Sequence, residues 1–146
     1  MTKNNRIFID TNILISCYDE KRKRHEIAFN FIEKSMNGEY DAYVSVQILN
    51  EFARNLMNPV KTSKPLDNET VSELLEEIYG SAIKILPVSF EGHKRLLKLN
   101  SKYNLYGAKF FDLLIVATML ENDIKTIVTE NVDDFEDFKE IKILSI

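Results

Sequence analysis

The amino-acid sequence predicts an α/β fold, a three-layer α/β/α sandwich built around a mostly parallel central sheet. Short apolar runs typical of buried strands alternate along the chain with amphipathic segments long enough to form helices. Such alternation builds parallel strands with helices covering both faces of the sheet. The sequence contains no internal repeat, low-complexity tract or linker rich in proline and glycine, so we expect a single domain over residues 1–146.

The first half of the chain is predicted to contain two strands. Residues 6–9 form an apolar run that ends at Asp10, and residues 41–45 form the second strand candidate. Helices are predicted around these strands, because apolar side chains recur there at helical spacing, over residues 13–15, 25–37 and 46–56.

The second half continues the alternation. A helix capped by Asp67 or Asn68 is predicted to end near Tyr79. Residues 84–88 form the third strand candidate, and its proline, Pro87, indicates a sheet edge or a strand end. The remaining predicted elements are a helix at 91–103, a helix at 110–120 that is apolar nearly all round and hence buried, and strands at 125–129 and 141–144.

Composition excludes several classes of protein. The 146 residues are 45% hydrophobic and 29% charged, and the single cysteine, Cys17, cannot form an internal disulfide. We find no secretory signal at the N-terminus and no apolar run long enough for a bilayer span, so we expect a cytoplasmic protein without membrane association. The net charge of −4 is not that of a general nucleic-acid-binding protein, although an enzyme that grips phosphate through metal ions needs less basic surface.

The polar residues beyond the strand ends are the first candidates for a site, since ligands of such folds bind at the carboxyl ends of the strands. Asp10 directly follows the first strand, and a polar cluster at residues 129–135 follows a later one. Both have a structural interpretation as well, because aspartate commonly caps helices and clusters of this kind form capping turns. One aspartate can serve both purposes.

Asp112 is the only charged residue in the apolar segment 110–120, whose other polar member is Thr118. A carboxylate on an otherwise buried helix is costly unless it is paired, hydrogen-bonded or metal-bound. An ion pair with Lys109 is the structural alternative. Because Lys109 stands near the helix start and can reach water, we favour a functional role for Asp112.

Glu51 lies on the polar stripe of the helix at 46–56, between Gln47 and Asn55. Taken alone, this pattern indicates a solvated helix face on which Glu51 contacts Arg54. Glu51 becomes a candidate ligand only when the other acids are considered with it.

Carboxylates that converge on one cleft repel one another, which would raise at least one pKa, and divalent metal ions relieve that repulsion. Carboxylates and water are the ligands that Mg²⁺ and Mn²⁺ prefer. The sequence contains no Ser/His/Asp or Cys/His arrangement and no glycine-rich phosphate loop. The remaining chemistry is metal-assisted hydrolysis of a phosphate ester.

The one concentrated basic run comprises Lys21, Arg22, Lys23 and Arg24. It is interpreted as a solvated turn partly neutralised by its acidic neighbours, with a phosphate grip beside the active site as the alternative. The aromatic side chains that stand among aliphatic residues are assigned to core packing rather than base stacking; they are Phe29, Phe31, Phe52, Phe110 and Phe111.

Four short motifs, in this order and spacing, resemble the PIN-domain family. They are Ile-Phe-Ile-Asp10-Thr11-Asn12, Val-Ser45-Val-Gln-Ile-Leu-Asn-Glu51-Phe, Phe-Asp112-Leu-Leu-Ile-Val-Ala and Ile-Val-Thr129-Glu-Asn131-Val-Asp-Asp134-Phe. The resemblance extends over essentially the whole chain, and it is strongest to the compact bacterial and archaeal toxins of VapBC-type toxin–antitoxin systems.

The resemblance implies an endoribonuclease dependent on Mg²⁺ or Mn²⁺ that cleaves tRNA or other structured RNA. It also implies a homodimer held inactive by a small, co-encoded antitoxin protein. The family's three acids correspond to Asp10, Glu51 and Asp112 as catalytic and metal-binding residues. Its accessory polar positions, which can orient ligands or water, correspond to Thr11, Asn12, Ser45 and Thr129.

The match departs from the family at its fourth acidic position, where an aspartate is common and this chain has Asn131. An asparagine can coordinate through its carbonyl or hold a water, but it lowers the charge of the site by one. Asp134, three residues on, can compensate. The resemblance therefore implies one firmly bound metal ion rather than two.

Two other functions are alternatives to a metal-dependent ribonuclease. A phosphatase of the haloacid-dehalogenase type also begins with a strand and an aspartate, but it requires a second aspartate two residues later, where this chain has Asn12. A PIN-like module that binds RNA or a protein partner without cutting is the second, and Asn131 and the acidic net charge favour it.

Overall fold

A computed structural model of the protein describes residues 5–146. Residues 1–4 lie outside the described part of the chain. The prediction that the N-terminus carries no secretory signal therefore falls partly outside the described residues. The described residues form five strands and seven helices. In chain order these are β1 (Arg6–Ile9), α1 (Thr11–Tyr18), α2 (His25–Met36), β2 (Asp41–Ser45), α3 (Val46–Leu56), α4 (Asn68–Tyr79), β3 (Lys84–Leu86), α5 (Phe90–Tyr103), α6 (Lys109–Glu121), β4 (Thr126–Thr129), α7 (Val132–Phe135) and β5 (Lys142–Ser145).

The five strands form one sheet in the order β3-β2-β1-β4-β5, and all four neighbouring pairs are parallel. Helices flank this sheet in an α/β/α sandwich, which confirms the predicted fold class. The pattern of one apolar run per strand arises because strands of a parallel sheet are covered on both faces. Phe8, Ile9, Val44, Ile127 and Val128 accordingly lie in the core, fully shielded from solvent.

The strand order places a topological switch point in the middle of the sheet. From β1 the chain moves outward to β2 and β3, and it then returns to the other side of β1 with β4 and β5. Connections that depart to opposite sides leave a crevice beyond the carboxyl ends of the two strands between them, here β1 and β4. Asp10 and Glu130 are the first residues after these two strands.

Most predicted elements are present with their ends moved by a few residues. The third strand ends at Leu86, before Pro87, because proline has no amide hydrogen with which to continue the ladder. It lies at a sheet edge, as its proline predicted. The first helix is longer than predicted and spans Thr11–Tyr18.

The prediction of a fully buried α6 is wrong for its first turn. Residues Ile115 to Met119 are buried, whereas Phe110 and Phe111 are 37% and 60% exposed. The assignment of these two rings to the core is therefore wrong, and so is that of Phe29, which is 47% exposed. Phe52 is fully buried and Phe31 packs partly buried against the core, as predicted.

Candidate active site

Asp10 lies at the centre of the site, at the point where β1 ends and α1 begins. It is the N-cap of α1, and its carboxylate accepts hydrogen bonds from the Thr11 amide at 2.7 Å and the Thr129 hydroxyl at 2.8 Å. Burial raises the pKa of Asp10 to about 6, although these two hydrogen bonds lower it and the charges of Glu51 and Asp134 raise it further. The capping role and a role in the site are thus both compatible with the geometry.

The residues after β4 are tied to Asp10 by a polar network. The amide nitrogen of the Asn12 side chain donates to the Thr129 hydroxyl at 3.2 Å and to the Asp10 carboxylate at 3.3 Å. The Thr129 hydroxyl also accepts from the Asn131 amide at 3.0 Å, and the Asn12 carbonyl oxygen accepts from the Glu130 amide at 3.2 Å. This network fixes the relative positions of the two strand ends.

Glu51 reaches the site from α3. One carboxylate oxygen accepts from the Thr11 hydroxyl at 3.0 Å, and the other accepts from the Gln47 side-chain amide at 3.3 Å. Within residues 5–146 no ion pair joins Glu51 to Arg54, so the predicted contact between them is wrong. The helix carries Glu51 on the face that meets α1, where its charge is close enough to raise the pKa of Asp10.

Asp112 approaches from the first turn of α6, and its side chain is 20% exposed. The Lys109 ammonium lies 3.7 Å from its carboxylate and 3.4 Å from that of Asp134. Burial, followed by the charge of Asp134, raises the pKa of Asp112 to about 6, while Lys109 lowers it and Asp10 raises it. The predicted ion pair with Lys109 therefore exists, but it does not offset the cost of burying the carboxylate.

These side chains line one open cleft beyond the sheet. Seven of the predicted catalytic and accessory residues border it, namely Asp10, Thr11, Asn12, Glu51, Asp112, Asn131 and Asp134. Thr129 is buried behind Asp10 and acts through its hydrogen bonds. Ser45 is not part of the cleft: it is fully buried, and its hydroxyl caps α3 by accepting from the Ile48 amide at 3.2 Å.

The predicted basic run does not act as one patch, since only Arg22 borders the cleft. Lys21 lines a different hollow, Lys23 is exposed, and Arg24 donates to the backbone carbonyl of Ile146. A second cation, Lys61, borders the cleft beside Arg22, and the Arg22 guanidinium donates to the Lys61 carbonyl at 3.0 Å. No local signal in the sequence marks Lys61 as a site residue, because its segment has no apolar periodicity.

Asp19, at the end of α1, holds that loop in place. Its carboxylate accepts from the Ser63 amide at 3.1 Å, the Lys21 amide at 3.2 Å and the Ser63 hydroxyl, and the Arg22 guanidinium lies 3.8 Å away. Burial raises the pKa of Asp19, but the hydrogen bonds from Ser63 and Lys21 and the charge of Arg22 together outweigh it, and the net pKa is lowered. The ionised carboxylate is therefore the form that anchors the loop with Lys61 next to Arg22.

Phe111 and Asn55 also border the cleft and were not predicted to do so. Asn55 lies one helical turn after Glu51, so the polar stripe of α3 was the signal that could have identified it. Phe111 directly precedes Asp112, and its carbonyl accepts from the Gln47 side chain at 3.4 Å. No sequence pattern distinguishes this exposed phenylalanine from its buried neighbours.

The oxygen-only donor set of the cleft suits a hard divalent cation such as Mg²⁺ or Mn²⁺. Within residues 5–146, no three acidic, histidine or cysteine side chains stand close enough together to form a finished metal site. The raised pKa values of Asp10 and Asp112 show that negative charge is held there at a cost, which a divalent ion would relieve. The residues that would hold it are Asp10 and Asp112, with Glu51 beside them.

The fold and the acidic cleft at its switch point define an α/β protein with a candidate metal site. The PIN domain family matches residues 7–141, and the chain belongs to this family. PIN domains are a family of nucleases that generally use divalent metal ions. No curated protein is similar enough to this chain to match it.

Solved structures share the fold across nearly the whole chain. VapBC2 from Rickettsia felis, bound to a DNA fragment from its promoter, is 18% identical with a TM-score of 0.65, over 97% of this chain and 98% of that one. VapC20 from Mycobacterium tuberculosis, a toxin that cleaves the sarcin-ricin loop, is 14% identical with a TM-score of 0.68, over 90% of this chain and 95% of that one. A toxin–antitoxin complex from Klebsiella pneumoniae is 20% identical with a TM-score of 0.61, over 93% of this chain and 95% of that one. These neighbours are toxin–antitoxin PIN proteins.

None of the helices among residues 5–146 is both long enough and apolar enough to span a membrane.

Proposed function

We propose that the protein is an endoribonuclease dependent on Mg²⁺ or Mn²⁺. The observation that carries this proposal is the convergence of Asp10, Glu51 and Asp112 on one cleft at the switch point of the sheet. Asp10 and Asp112 have raised pKa values, as expected of carboxylates in a cation site when no cation is bound. Membership of a nuclease family is consistent with this chemistry.

The residues of the cleft divide the work of phosphodiester hydrolysis between them. A bound divalent ion lowers the pKa of a water molecule and stabilises the charge that develops on the phosphate. Thr129 and the Thr11 amide orient the Asp10 carboxylate, and Thr11 and Gln47 orient that of Glu51. Arg22 and Lys61 border the cleft and supply positive charge for the backbone of the substrate.

The test is incubation of purified protein with RNA and either Mg²⁺ or Mn²⁺. We expect cleavage that is lost on adding EDTA and falls by at least 100-fold in Asp10→Asn, since each ligand contributes transition-state stabilisation. Asp133→Asn is the matched control, because it removes one exposed carboxylate next to the cleft and should leave the rate unchanged. Cleavage that survives both EDTA and Asp10→Asn would contradict the assignment.

We further propose that the protein is the toxin of a toxin–antitoxin pair, a cytoplasmic homodimer held inactive by a small antitoxin protein. The toxin–antitoxin complexes among its structural neighbours support this proposal. The substrate that we propose is tRNA or another structured RNA, and the sarcin-ricin loop that one neighbour cleaves supports a structured RNA. A neighbouring gene that encodes a small protein, whose product abolishes cleavage at equimolar ratio, is the expected finding. A product that binds without inhibiting cleavage would contradict it.

A PIN-like module that binds RNA or a protein without cutting is the second candidate. It is favoured by the position of Lys109, whose ammonium already lies between Asp112 and Asp134, and by Asn131 at the fourth acidic position. Calorimetric titration with Mn²⁺ separates the two functions. The nuclease should bind one ion at a saturable site that Asp10→Asn removes, whereas a scaffolding module should bind none.

A further inference from the structure

The acidic cleft has one feature that metal-assisted hydrolysis does not use, an exposed aromatic ring on its border. Phe111 is 60% exposed, although it stands on a helix whose residues from Ile115 to Met119 are buried. Leaving a phenylalanine ring in water forgoes about 1.5–3 kcal/mol of burial, so the exposed ring calls for an explanation. Single exposed apolar residues are common on protein surfaces, but this one borders the candidate active site.

The composition of the cleft restricts what the ring can contact. Among residues 5–146, the only other apolar residues that line the cleft are Ile15 and Ile115, and both are buried, at 3% and 2% exposure. The remaining lining residues are charged or carry an amide or hydroxyl group. An apolar protein segment would find one ring to pack against and charges around it. A nucleotide has a flat aromatic face for the ring and a phosphate for the cations.

The position of the ring fits one nucleotide. Phe111 and Asp112 are consecutive residues and both border the cleft, so a nucleotide whose phosphate lies at the carboxylates can bring its base to the ring. The Phe111 backbone is tied to the catalytic side of the cleft through Gln47, which donates both to the Phe111 carbonyl at 3.4 Å and to Glu51 at 3.3 Å. Arg22 and Lys61 border the same cleft and can hold a phosphate of the strand.

We infer that Phe111 is the residue of this chain on which an unpaired nucleobase stacks, beside the phosphate held by the cleft. Bases in a duplex are stacked on both faces, whereas an unpaired base in a loop or single strand offers its face to an aromatic side chain. The inference rests on the proposed function in that it takes RNA as the substrate, and it adds which part of an RNA is recognised.

The test uses the absence of tryptophan from the chain, which makes Phe111→Trp a variant with a single tryptophan at the proposed platform. Stacking on a base should quench the fluorescence of this indole when a single-stranded oligoribonucleotide is added. The titration is made with Ca²⁺, which takes the same oxygen ligands as Mg²⁺, and the RNA is checked on a gel to be intact. Phe90→Trp is the matched control, because Phe90 is 74% exposed and does not line the cleft.

We expect quenching in Phe111→Trp, none in Phe90→Trp, and much weaker quenching with the same sequence in a blunt duplex. In fluorescence anisotropy, Phe111→Ala should weaken binding of the single strand about 5- to 150-fold, the range that corresponds to 1–3 kcal/mol per stacked base. Phe90→Ala should bind like the wild type. A Phe111→Ala variant that also binds like the wild type would overturn the inference and leave docking of a protein segment as the use of the exposed ring.

The same experiments separate this inference from the proposed function. Quenching in Phe111→Trp without cleavage by the wild-type protein would overturn the nuclease proposal and support the stacking platform. Cleavage by the wild-type protein without quenching in Phe111→Trp would overturn the stacking platform alone.

Discussion

Replacing Asp112 by asparagine should make the metal-free protein more stable. The Asp112 side chain is 20% exposed, and burial together with the charge of Asp134 raises its pKa from 3.8 to about 6. A carboxylate whose pKa is raised by folding destabilises the fold once it is ionised, because folding then costs more than for a neutral group. Asparagine keeps the shape of the side chain and carries no charge.

The magnitude follows from the shift in pKa. Each pKa unit corresponds to about 1.4 kcal/mol, so a shift from 3.8 to about 6 sets an upper bound of about 3 kcal/mol. This shift already contains the favourable ion pair with Lys109, and solvent screens a partly exposed carboxylate, so we expect a gain of about 1–3 kcal/mol at pH 8. The penalty is absent below pH 3.8, grows as the pH rises from 3.8 to about 6, and is complete above that range. The gain at pH 5 should accordingly be about half of that at pH 8.

The assay is urea unfolding of the wild type and the variant in EDTA at pH 8 and pH 5. Asp133→Asn is the control, because it removes an exposed carboxylate and should change the free energy of unfolding by no more than about 0.5 kcal/mol. Adding Mn²⁺ should stabilise the wild type by about 2.7 kcal/mol at 100 times its dissociation constant, and the variant by much less. If Asp112→Asn is no more stable than the wild type at pH 8, the ionised Asp112 carboxylate does not destabilise the metal-free fold and the reasoning is wrong.

Three further predictions concern the residues around the acids. Thr129→Val removes the hydroxyl that donates to Asp10 and lowers its pKa, so the acidic limb of the pH–rate profile should move to higher pH; an unchanged profile would show that this bond does not tune Asp10. Arg22→Ala and Lys61→Ala should each reduce the slope of log RNA affinity against log salt concentration by about 1, because each removes a cation that borders the cleft. Lys23→Ala is the control, since Lys23 is exposed and does not border the cleft. A slope equal to that of Lys23→Ala would exclude phosphate contacts by Arg22 and Lys61. Asp19→Ala should lower the free energy of unfolding by about 1–3 kcal/mol at neutral pH, because it removes the hydrogen bonds that the carboxylate accepts. The pKa of Asp19 is lowered in the folded protein, so this difference should vanish as the pH falls through that pKa. A difference that persists in acid would show that it arises from packing.

The strands and two of the three acids, Asp10 and Asp112, could be predicted from the sequence because their signals are local. A strand covered on both faces needs an unbroken apolar run, and Asp10 follows such a run directly. Asp112 was identifiable because a carboxylate in an apolar helix violates the pattern around it. Glu51 carried no such signal, since a polar stripe on a surface helix is common, and the resemblance to the PIN family was needed to select it.

What only the tertiary structure decided depends on contacts between distant parts of the chain. Lys61 reaches the cleft because Asp19 anchors its loop through Ser63, which is 44 positions away in the sequence. Ser45 matches an accessory position of the family, yet its hydroxyl is consumed in capping α3. Such hydrogen bonds leave no periodicity in the sequence, so no local pattern reveals them.

The sequence by itself determined the α/β class, the order of the elements and the acidic residues at the ends of β1 and β4, because burial of alternating strands and helices imposes a pattern on neighbouring residues. Only the tertiary structure decided which apolar residues remain outside. Phe111 and Ile115 belong to the same apolar helix, and the first is 60% exposed while the second is 2% exposed. Both residues border the cleft, so the difference arises from how far the neighbouring elements cover each turn of α6, and this is a property of packing rather than of local sequence.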